Sequence, residues 1–192
     1  MIYLLIASYL IGSISSAVII CKALGVPDPR IQGSKNPGAT NVLRLGGKKI
    51  AVFVLFFDGL KGAIPVLIGE YYGLGLIALT LTALCALLGH IFPVFFRFRG
   101  GKGVATYIGG LMAINLLAGL IFSLIWLLVA KVLKISSLAA LIATALSPFY
   151  FYLITGDMES TAIIVLISLF IFYTHRGNIK RLINKEEDVI QS

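Results

Sequence analysis

Charged residues are scarce in this sequence: they make up 12% of its 192 residues, whereas hydrophobic residues make up 59%. A soluble domain usually carries about 25% charged residues. So few charges cannot coat a water-soluble domain of this length, and the mean hydropathy of +1.00 indicates that lipid is the main solvent. The length allows one domain, which we expect to comprise residues 1–192, with no separate soluble module.

Several chemical patterns are also missing. The only two cysteines, Cys21 and Cys85, lie in apolar runs, so we expect neither a disulfide nor a metal pair. There is no Gly-x-Ser-x-Gly nucleophile elbow and no cluster with metal-ligand spacing, and we expect no metal or other cofactor. Neither His90 nor His175 is followed five positions later by Asp. The His-x4-Asp pattern of acyl-CoA and acyl-carrier-protein acyltransferases is therefore absent.

Long apolar runs are abundant. Residues 2–21, 50–69 and 74–96 each have the length of about 20 residues that a membrane-crossing helix needs, and two further runs cover residues 135–155 and 160–174. The uncharged stretch 103–130 is long for one span and short for two. No Lys or Arg precedes the first run, so we expect it to be retained as a span and not cleaved as a signal peptide.

The positions of the basic residues favour seven spans. If residues 103–130 hold two short helices that break near Asn115 and Gly119, 15 of the 16 Lys and Arg residues fall on one side, with Lys61 inside a span. The other side then carries only the acidic residues Glu70, Asp157 and Glu159. The positive-inside rule predicts an all-α, polytopic membrane protein with seven transmembrane helices, its N-terminus outside and its C-terminus cytoplasmic. Six spans, or a re-entrant hairpin in residues 103–130, are the alternatives.

The net charge of +8 would suggest nucleic acid in a soluble protein. Here the basic residues lie between apolar runs, so they indicate membrane topology, anionic substrates or lipid head groups, and we expect no nucleic-acid partner.

The longest segment between spans, residues 22–49, contains the turn signal Asn36-Pro37-Gly38. A short helix is expected to begin just after Gly38. The N-terminus of such a helix, together with nearby hydroxyl groups and Arg44, suits a phosphate group. The alternative is an ordinary juxtamembrane loop whose basic residues touch lipid head groups.

Three glycines, Gly100, Gly101 and Gly103, surround Lys102 on the same predicted membrane face. Glycine lets the backbone approach a ligand closely, and Lys102 supplies a point charge. The segment is not a P-loop, and a flexible helix break is the alternative.

Two charged residues, Asp58 and Lys61, lie inside an apolar run at the i, i+3 spacing that places them on one helix face. A structural ion pair is favoured over direct catalysis. For His90, inside the third run, we expect an interhelical hydrogen bond.

The last span ends in a polar group of residues. His175 stands at its end, before Asn178 and Arg181, although a plain basic flank would look similar. Ser136 and Ser137 follow Lys134, and their default role is to cap the next helix.

These motifs together resemble the bacterial acyl-phosphate:glycerol-3-phosphate acyltransferases, the PlsY family. The resemblance follows the chain in order through Gly33-Ser34, Asn36-Pro37-Gly38-Ala39-Thr40-Asn41-Val42-Leu43-Arg44, Asp58 with Lys61-Gly62, Gly89-His90-Ile91-Phe92-Pro93-Val94-Phe95, Gly100-Gly101-Lys102-Gly103-Val104-Ala105-Thr106, and His175-Arg176 with Asn178-Ile179 and Arg181-Leu182. The sequence departs from the family at Lys35, where glycine is common, and at Asn184-Lys185, which replaces a usual glycine.

The resemblance implies a seven-span protein of the bacterial plasma (inner) membrane with its site on the cytoplasmic face. It also implies the reaction of acyl phosphate with sn-glycerol 3-phosphate to give 1-acylglycerol 3-phosphate (lysophosphatidic acid) and phosphate, the first acylation of bacterial phospholipid synthesis. The expected partners are acyl phosphate, glycerol 3-phosphate and membrane lipid.

The mechanism expected from these features is direct attack without a covalent acyl-enzyme. The base is either a substrate phosphate oxygen or His175. We predict catalytic roles for Ser34, Arg44, Lys102, His175 and Asn178. We predict substrate binding by Gly38, Thr40, Asn41, Gly100, Gly101, Gly103, Ser137 and Arg181, and supporting roles for Asp58, Lys61 and His90.

Two other functions stay open from the sequence. A transporter of phosphorylated metabolites would suit the basic inner loops and the charges of Asp58 and Lys61. However, alternating access needs gates on both faces. An acyltransferase that uses acyl-CoA or acyl carrier protein would differ only in its donor.

Overall fold

The computed structural model describes residues 1–190, and every regular element in that range is helical. The all-α prediction is therefore confirmed. The chain divides into two compact units, of which the first runs from Met1 to Ile114 and the second begins at Asn115.

The helices are those of a multi-pass membrane protein. Within the described residues, five stretches are long and apolar enough to cross a membrane: Ile2–Ala23, Ala39–Tyr71, Leu76–Phe96, Leu116–Leu133 and Ser136–Thr155. A sixth candidate is the pair Met158–Thr174 and Arg176–Ile183, which is bent by 61°, and Val104–Ile114 is a shorter apolar helix. The number of spans and their orientation stay predictions.

The first unit contains five helices: α1 (Ile2–Gly12), α2 (Ser16–Ala23), α3 (Ala39–Tyr71), α4 (Leu76–Ile91) and α5 (Val104–Ile114). A single 3₁₀ turn, Val94–Phe96, follows α4. The first predicted span is not one continuous helix, because the chain breaks between α1 and α2. At the break, the Ser13 hydroxyl donates to the Tyr9 carbonyl at 2.8 Å, a local bond that competes with the helical ladder.

Helix α3 begins directly after Gly38, where the sequence predicts a helix start. Gly47 has the non-helical angles φ 81° and ψ 178° and divides α3 at a kink into two parts. The part before Gly47 is the expected short helix, and the part after it contains the second apolar run. Farther along, α3 packs closely on α5: a Cβ atom at Gly62 would overlap the Thr106 backbone, and one at Gly109 would overlap the Gly59 backbone. Small residues allow this close approach of two membrane helices.

The second unit contains α6 (Leu116–Leu133), α7 (Ser136–Thr155), α8 (Met158–Thr174) and α9 (Arg176–Ile183). The predicted break near Asn115 is confirmed, since its side chain caps α6 by accepting a bond from the Ala118 N–H at 3.0 Å. The second suggested position, Gly119, lies inside α6. Asp157 caps α8 by accepting from the Ser160 N–H at 2.6 Å, and this bond lowers the pKa of the Asp157 carboxyl.

Helix α9 was not expected from the sequence, which indicated only a polar tail. Its apolar residues Ile179, Leu182 and Ile183 recur at helical spacing between basic residues. A short amphipathic helix therefore follows the last apolar helix.

Candidate functional site

The predicted site residues fall into two groups, one in each unit. In the first unit, Asn41 organises the loop that holds Ser34. Its amide oxygen accepts from the Ser34 N–H at 3.0 Å, and its amide nitrogen donates to the carbonyls of Pro29 at 2.9 Å and Gln32 at 3.0 Å. Because Asn41 is only 1% exposed, its amide has a structural role in this loop. Direct contact with a substrate stays a prediction.

The N-terminus of α3 carries the next predicted residues. Gly38 has an extended backbone, with φ −144° and ψ 165°, and its carbonyl accepts from the N–H groups of Asn41 and Val42, both at 3.1 Å. Thr40 lies in the first turn and Arg44 one turn later, and both residues are exposed. The positive end of the helix dipole and the Arg44 guanidinium together favour an anion at this helix start.

Residues 100–103, which we call the glycine segment, lie directly against the loop that holds Ser34 and against the end of α4. The Gly101 N–H donates to the His90 carbonyl at 3.2 Å. A Cβ atom at Gly101 would overlap the His90 ring at Nε2 and would lie 3.1 Å from the Pro37 carbonyl oxygen. Gly100 is equally confined, since a Cβ atom there would overlap the His90 carbonyl, and Gly103 has a positive φ of 90°. The fold therefore brings together the two segments that the sequence predicted to bind phosphate, with Lys102 half-buried beside Gly101.

Beneath this segment lies a buried polar network. The Lys61 ammonium is 2.8 Å from Oδ1 of Asp58 and donates to the Ile14 carbonyl at 2.8 Å. Ile14 lies in the break between α1 and α2, so Lys61 satisfies a carbonyl that the broken helix leaves without an intrahelical partner.

The same network includes His90. Its Nδ1 atom lies 3.1 Å from the Thr106 hydroxyl and 3.8 Å from Oδ1 of Asp58. This is the interhelical hydrogen bond expected for His90, between α4 and α5. The network links the membrane-embedded helices to the Gly101 backbone above them.

In the second unit, His175 stands at the junction of α8 and α9. Its Nδ1 atom lies 2.8 Å from the Ile171 carbonyl. A carbonyl only accepts hydrogen bonds, so Nδ1 carries the proton, and Nε2 bears the lone pair when the ring is neutral. His175 is only 2% exposed, which fixes the orientation of the imidazole.

The Glu187 carboxylate accepts hydrogen bonds from the other three predicted residues of this unit. Oε1 of Glu187 accepts from the Ser137 hydroxyl at 2.8 Å and from the Asn178 amide nitrogen. Its Oε2 accepts from Nε of Arg181 at 2.6 Å. Burial raises the pKa of Glu187, but the hydrogen bonds from Asn178, Ser137 and Arg181 and the Arg181 charge outweigh burial, so the net pKa is lowered.

Sequence reasoning missed Glu187, because the run Glu186-Glu187-Asp188 looks like a solvated acidic tail. The default role given to the α7 serines was also wrong for Ser137. The N-cap position of α7 is Ile135, without a side-chain cap, and the Ser137 hydroxyl donates to Glu187 instead. The sequence nevertheless contains one indication of the role of Glu187, because an acidic residue soon after a basic helix can fold back and pair with that helix.

The sequence is similar to known proteins along nearly its whole length. A family model described as glycerol-3-phosphate acyltransferase matches residues 2–185. A glycerol-3-phosphate acyltransferase of Ruthia magnifica subsp. Calyptogena magnifica is 60% identical over 189 residues, which cover 98% of this chain and 96% of that protein. One from Hydrogenovibrio crunogenus is 49% identical over 185 residues, 96% of this chain and 88% of the relative.

Two solved structures are similar along nearly the whole chain. Both are crystal structures of PlsY, an integral membrane glycerol 3-phosphate acyltransferase. Its glycerol 3-phosphate form has a TM-score of 0.94 at 40% identity and covers 99% of this chain and 95% of that chain. Its lysophosphatidic acid form has a TM-score of 0.91 at 38% identity, with the same two shares of 99% and 95%.

Proposed function

The chain belongs to the glycerol-3-phosphate acyltransferase family, and we propose that it transfers a fatty acyl group from an acyl phosphate to the 1-hydroxyl of sn-glycerol 3-phosphate. The products are 1-acylglycerol 3-phosphate and inorganic phosphate. The acyl acceptor and the product are supported by the glycerol 3-phosphate and lysophosphatidic acid forms of the similar PlsY structures.

The observation that carries the proposal for the first unit is the packing of Gly101 against Pro37. It brings the half-buried Lys102 beside the loop that carries Ser34, which leads into the start of α3 with Thr40 and Arg44. Two anionic substrates repel each other, and a cation beside a helix N-terminus offsets that repulsion. We assign phosphate binding to these residues, with Gly38, Gly100 and Gly103 keeping the backbone close to the ligand.

The proposed chemistry needs no covalent acyl-enzyme, because an acyl phosphate is already an activated mixed anhydride. The 1-hydroxyl oxygen attacks the acyl carbonyl carbon and forms the ester bond. The carbon–oxygen bond to phosphate breaks, and phosphate leaves with its electron pair. Positioning and charge neutralisation supply the acceleration.

The hydroxyl proton has two possible acceptors. One is a phosphate oxygen of the substrate, whose second pKa is near 6. The other is Nε2 of His175, since Nδ1 carries the proton that is donated to Ile171. Asn178, Ser137 and Arg181 are proposed to help orient glycerol phosphate, with Glu187 fixing their geometry.

We propose that residues 1–192 act as a single acyltransferase domain, which is supported by a family model that runs through both units. The one-sided distribution of 15 of the 16 basic residues supports seven spans in a bacterial plasma membrane, with the active site on the cytoplasmic face.

The donor is tested with the full chain in lipid nanodiscs. Labelled glycerol 3-phosphate is supplied with palmitoyl phosphate, palmitoyl-CoA or palmitoyl-acyl carrier protein, and labelled lysophosphatidic acid is followed together with phosphate. We expect equimolar lysophosphatidic acid and phosphate from palmitoyl phosphate alone. Turnover with a thioester instead would overturn the donor assignment. A burst of phosphate before glycerol 3-phosphate is added would indicate an acyl-enzyme.

The base and the phosphate ligands are tested by substitution. Lys102→Gln is expected to reduce kcat/KM by about 100-fold, whereas Lys49→Gln, at an exposed position on α3, serves as the matched control. If His175→Gln retains most of kcat at saturating substrate, the substrate phosphate is the base. A loss of kcat in folded His175→Gln protein, with a lost acidic limb in the pH profile, would assign the base to His175.

A further inference from the structure

The segment between α4 and the glycine segment, residues 92–99, exposes large apolar side chains at one end of a membrane span. We call it the 92–99 loop. The exposed fractions are 37% for Phe92, 40% for Val94, 60% for Phe95 and 61% for Phe98. The span that contains α4 extends to Phe96, so this loop lies at the boundary between the apolar layer and water.

Two cations alternate with these apolar side chains. Arg97 and Arg99 are both exposed, and within residues 1–190 neither guanidinium forms an ion pair with a carboxylate. A surface that joins exposed aromatic rings to arginines at this depth is complementary to an amphiphile with an anionic head and an apolar chain.

The backbone of the 92–99 loop is held in an uncommon conformation. Arg97 and Phe98 have positive φ angles of 56° and 58°, in the left-handed region that residues other than glycine rarely adopt. The Pro93 carbonyl holds the turn by accepting from the N–H groups of Phe96 at 3.1 Å and Phe98 at 2.9 Å. The loop therefore has a defined shape.

A second contact anchors the loop to the neighbouring part of the first unit. The Arg30 guanidinium lies 5.9 Å from the centre of the Phe96 ring, and its own position is fixed by the Asp28 carboxylate at 2.7 Å. The hydrogen bond from Arg30 lowers the pKa of Asp28, so the pair stays charged near neutral pH. At its far end the loop continues into Gly101 and Lys102, and the Gly101 N–H is bonded to the His90 carbonyl at 3.2 Å.

We infer that the 92–99 loop is the docking surface on which a long-chain acyl phosphate is received from the membrane before it reacts. The inference rests on the proposed function. Phe95 and Phe98 contact the acyl chain at the edge of the apolar layer, and Arg97 and Arg99 bind its phosphate. The bound head group is then two to five residues along the chain from Gly101 and Lys102. Glycerol 3-phosphate has no acyl chain, so its binding does not need this surface.

The test compares two donors that differ in membrane residence. Palmitoyl phosphate has eight more methylene groups than octanoyl phosphate, which corresponds to roughly a 10⁴- to 10⁵-fold stronger partition into lipid. Two double variants, Phe95→Ser with Phe98→Ser and Arg97→Gln with Arg99→Gln, are assayed in nanodiscs with both donors at saturating glycerol 3-phosphate. The controls are Phe149→Ser, at a ring that is 67% exposed elsewhere, and Lys48→Gln with Lys49→Gln, at two exposed cations.

We expect both double variants to lower kcat/KM for palmitoyl phosphate by about tenfold or more, mainly through KM. The phenylalanine variant should leave the value for octanoyl phosphate within about twofold of the wild type, whereas the arginine variant should lower it too, because both donors carry the phosphate. The KM for glycerol 3-phosphate should stay within about twofold of the wild type in both variants. The two control variants should leave both donors unchanged.

Three outcomes would overturn the inference. Equal losses with both donors in the phenylalanine variant would mean that the loop supports the fold or the chemistry and does not capture the acyl chain. No loss with either donor would mean that nothing docks there. A loss that disappears when anionic phospholipid is omitted from the nanodisc would assign the surface to lipid head groups. Wild-type turnover with palmitoyl phosphate tests the proposed donor separately, and turnover with a thioester alone would overturn the donor and this inference together.

Discussion

The side-chain amide of Asn178 donates a hydrogen bond to Oε1 of Glu187. Because a carboxylate oxygen only accepts, this bond fixes which end of the Asn178 amide faces the tail. The tail itself is tied down, since the Glu186 N–H donates to the Arg181 carbonyl at 2.8 Å and the Ile190 N–H donates to the Lys134 carbonyl at 2.6 Å. A residue outside the predicted site therefore orients residues inside it.

Replacing Glu187 with Gln should impair both stability and activity. A glutamine side chain at this position has no charge to hold Arg181, and its NH₂ group cannot accept the hydrogen bonds that the carboxylate accepts. Roughly 1.5–3 kcal/mol of stability should therefore be lost. Turnover should fall at least about tenfold if Asn178 is disoriented. Unfolding in mixed detergent micelles and lysophosphatidic acid formation measure the two effects. Glu186→Gln, at an exposed neighbour, is the control, and equal effects of both variants would contradict this role.

The wild type and Glu187→Gln should differ in how their stability depends on pH. The pKa of Glu187 is lowered in the folded protein, so its stabilising contribution is complete above the unfolded pKa, near pH 4 to 5. It is lost as the pH falls through the lower, folded pKa. The gap in melting temperature between wild type and Glu187→Gln should therefore be largest near pH 7 and should shrink on acidification. A gap that is constant down to pH 3.5 would contradict a charged Glu187.

The two departures from the family pattern have a common structural consequence. Lys35 and Lys185 both adopt a positive φ, 57° and 61° respectively. Lys35 and the pair Asn184-Lys185 are the positions at which the sequence departs from the glycines expected from the resemblance. The left-handed conformation costs a residue with a Cβ atom roughly 1–2 kcal/mol, partly offset by the entropy that glycine loses on folding. Lys35→Gly and Lys185→Gly should each stabilise the protein by about 0.5 kcal/mol. Detergent unfolding measures this, and Lys180→Gly, inside α9, should instead destabilise by about 1 kcal/mol.

The sequence predicted features that depend on local pattern. The apolar runs, the helix start after Gly38 and the break at Asn115 all follow from hydrophobicity and turn chemistry within a few residues. The all-helical membrane architecture follows from composition, because a chain with so few charges must satisfy its backbone groups inside lipid.

Features that depend on contacts distant in sequence could not be predicted in the same way. The Ser137 hydroxyl reaches Glu187, 50 residues away, and the Lys61 ammonium reaches the Ile14 carbonyl, 47 residues away. Neither pair has a sequence signature. Helix α9 was missed for a different reason: its amphipathic period is present, but its eight residues are too few to stand out from a polar tail.

The buried pair of Asp58 and Lys61 should behave as one unit. Their side chains are only 3% and 7% exposed, so removing either partner leaves an uncompensated charge inside the membrane. Lys61→Met or Asp58→Asn alone should cost about 3–5 kcal/mol. The double variant should cost clearly less than the sum, because it leaves no buried charge. Unfolding in detergent measures the four free energies of this double-mutant cycle, and Glu70→Gln, at an exposed position, is the control. If the effects of the two single variants simply add in the double variant, the pairing is contradicted.

Replacing Gly101 with Ala should damage the phosphate-binding arrangement of the first unit. The new Cβ atom would overlap Nε2 of His90 and lie 3.1 Å from the Pro37 carbonyl, so the glycine segment must move and carry Lys102 with it. A displacement of about 1 Å costs on the order of 100-fold in rate, and we expect that loss in kcat/KM for glycerol 3-phosphate. Gly75→Ala is the matched control, since its φ is −69° and nothing lies within 4 Å of the added atom. Wild-type kinetics in folded Gly101→Ala protein would mean that the close approach of this segment to His90 and Pro37 does not position Lys102.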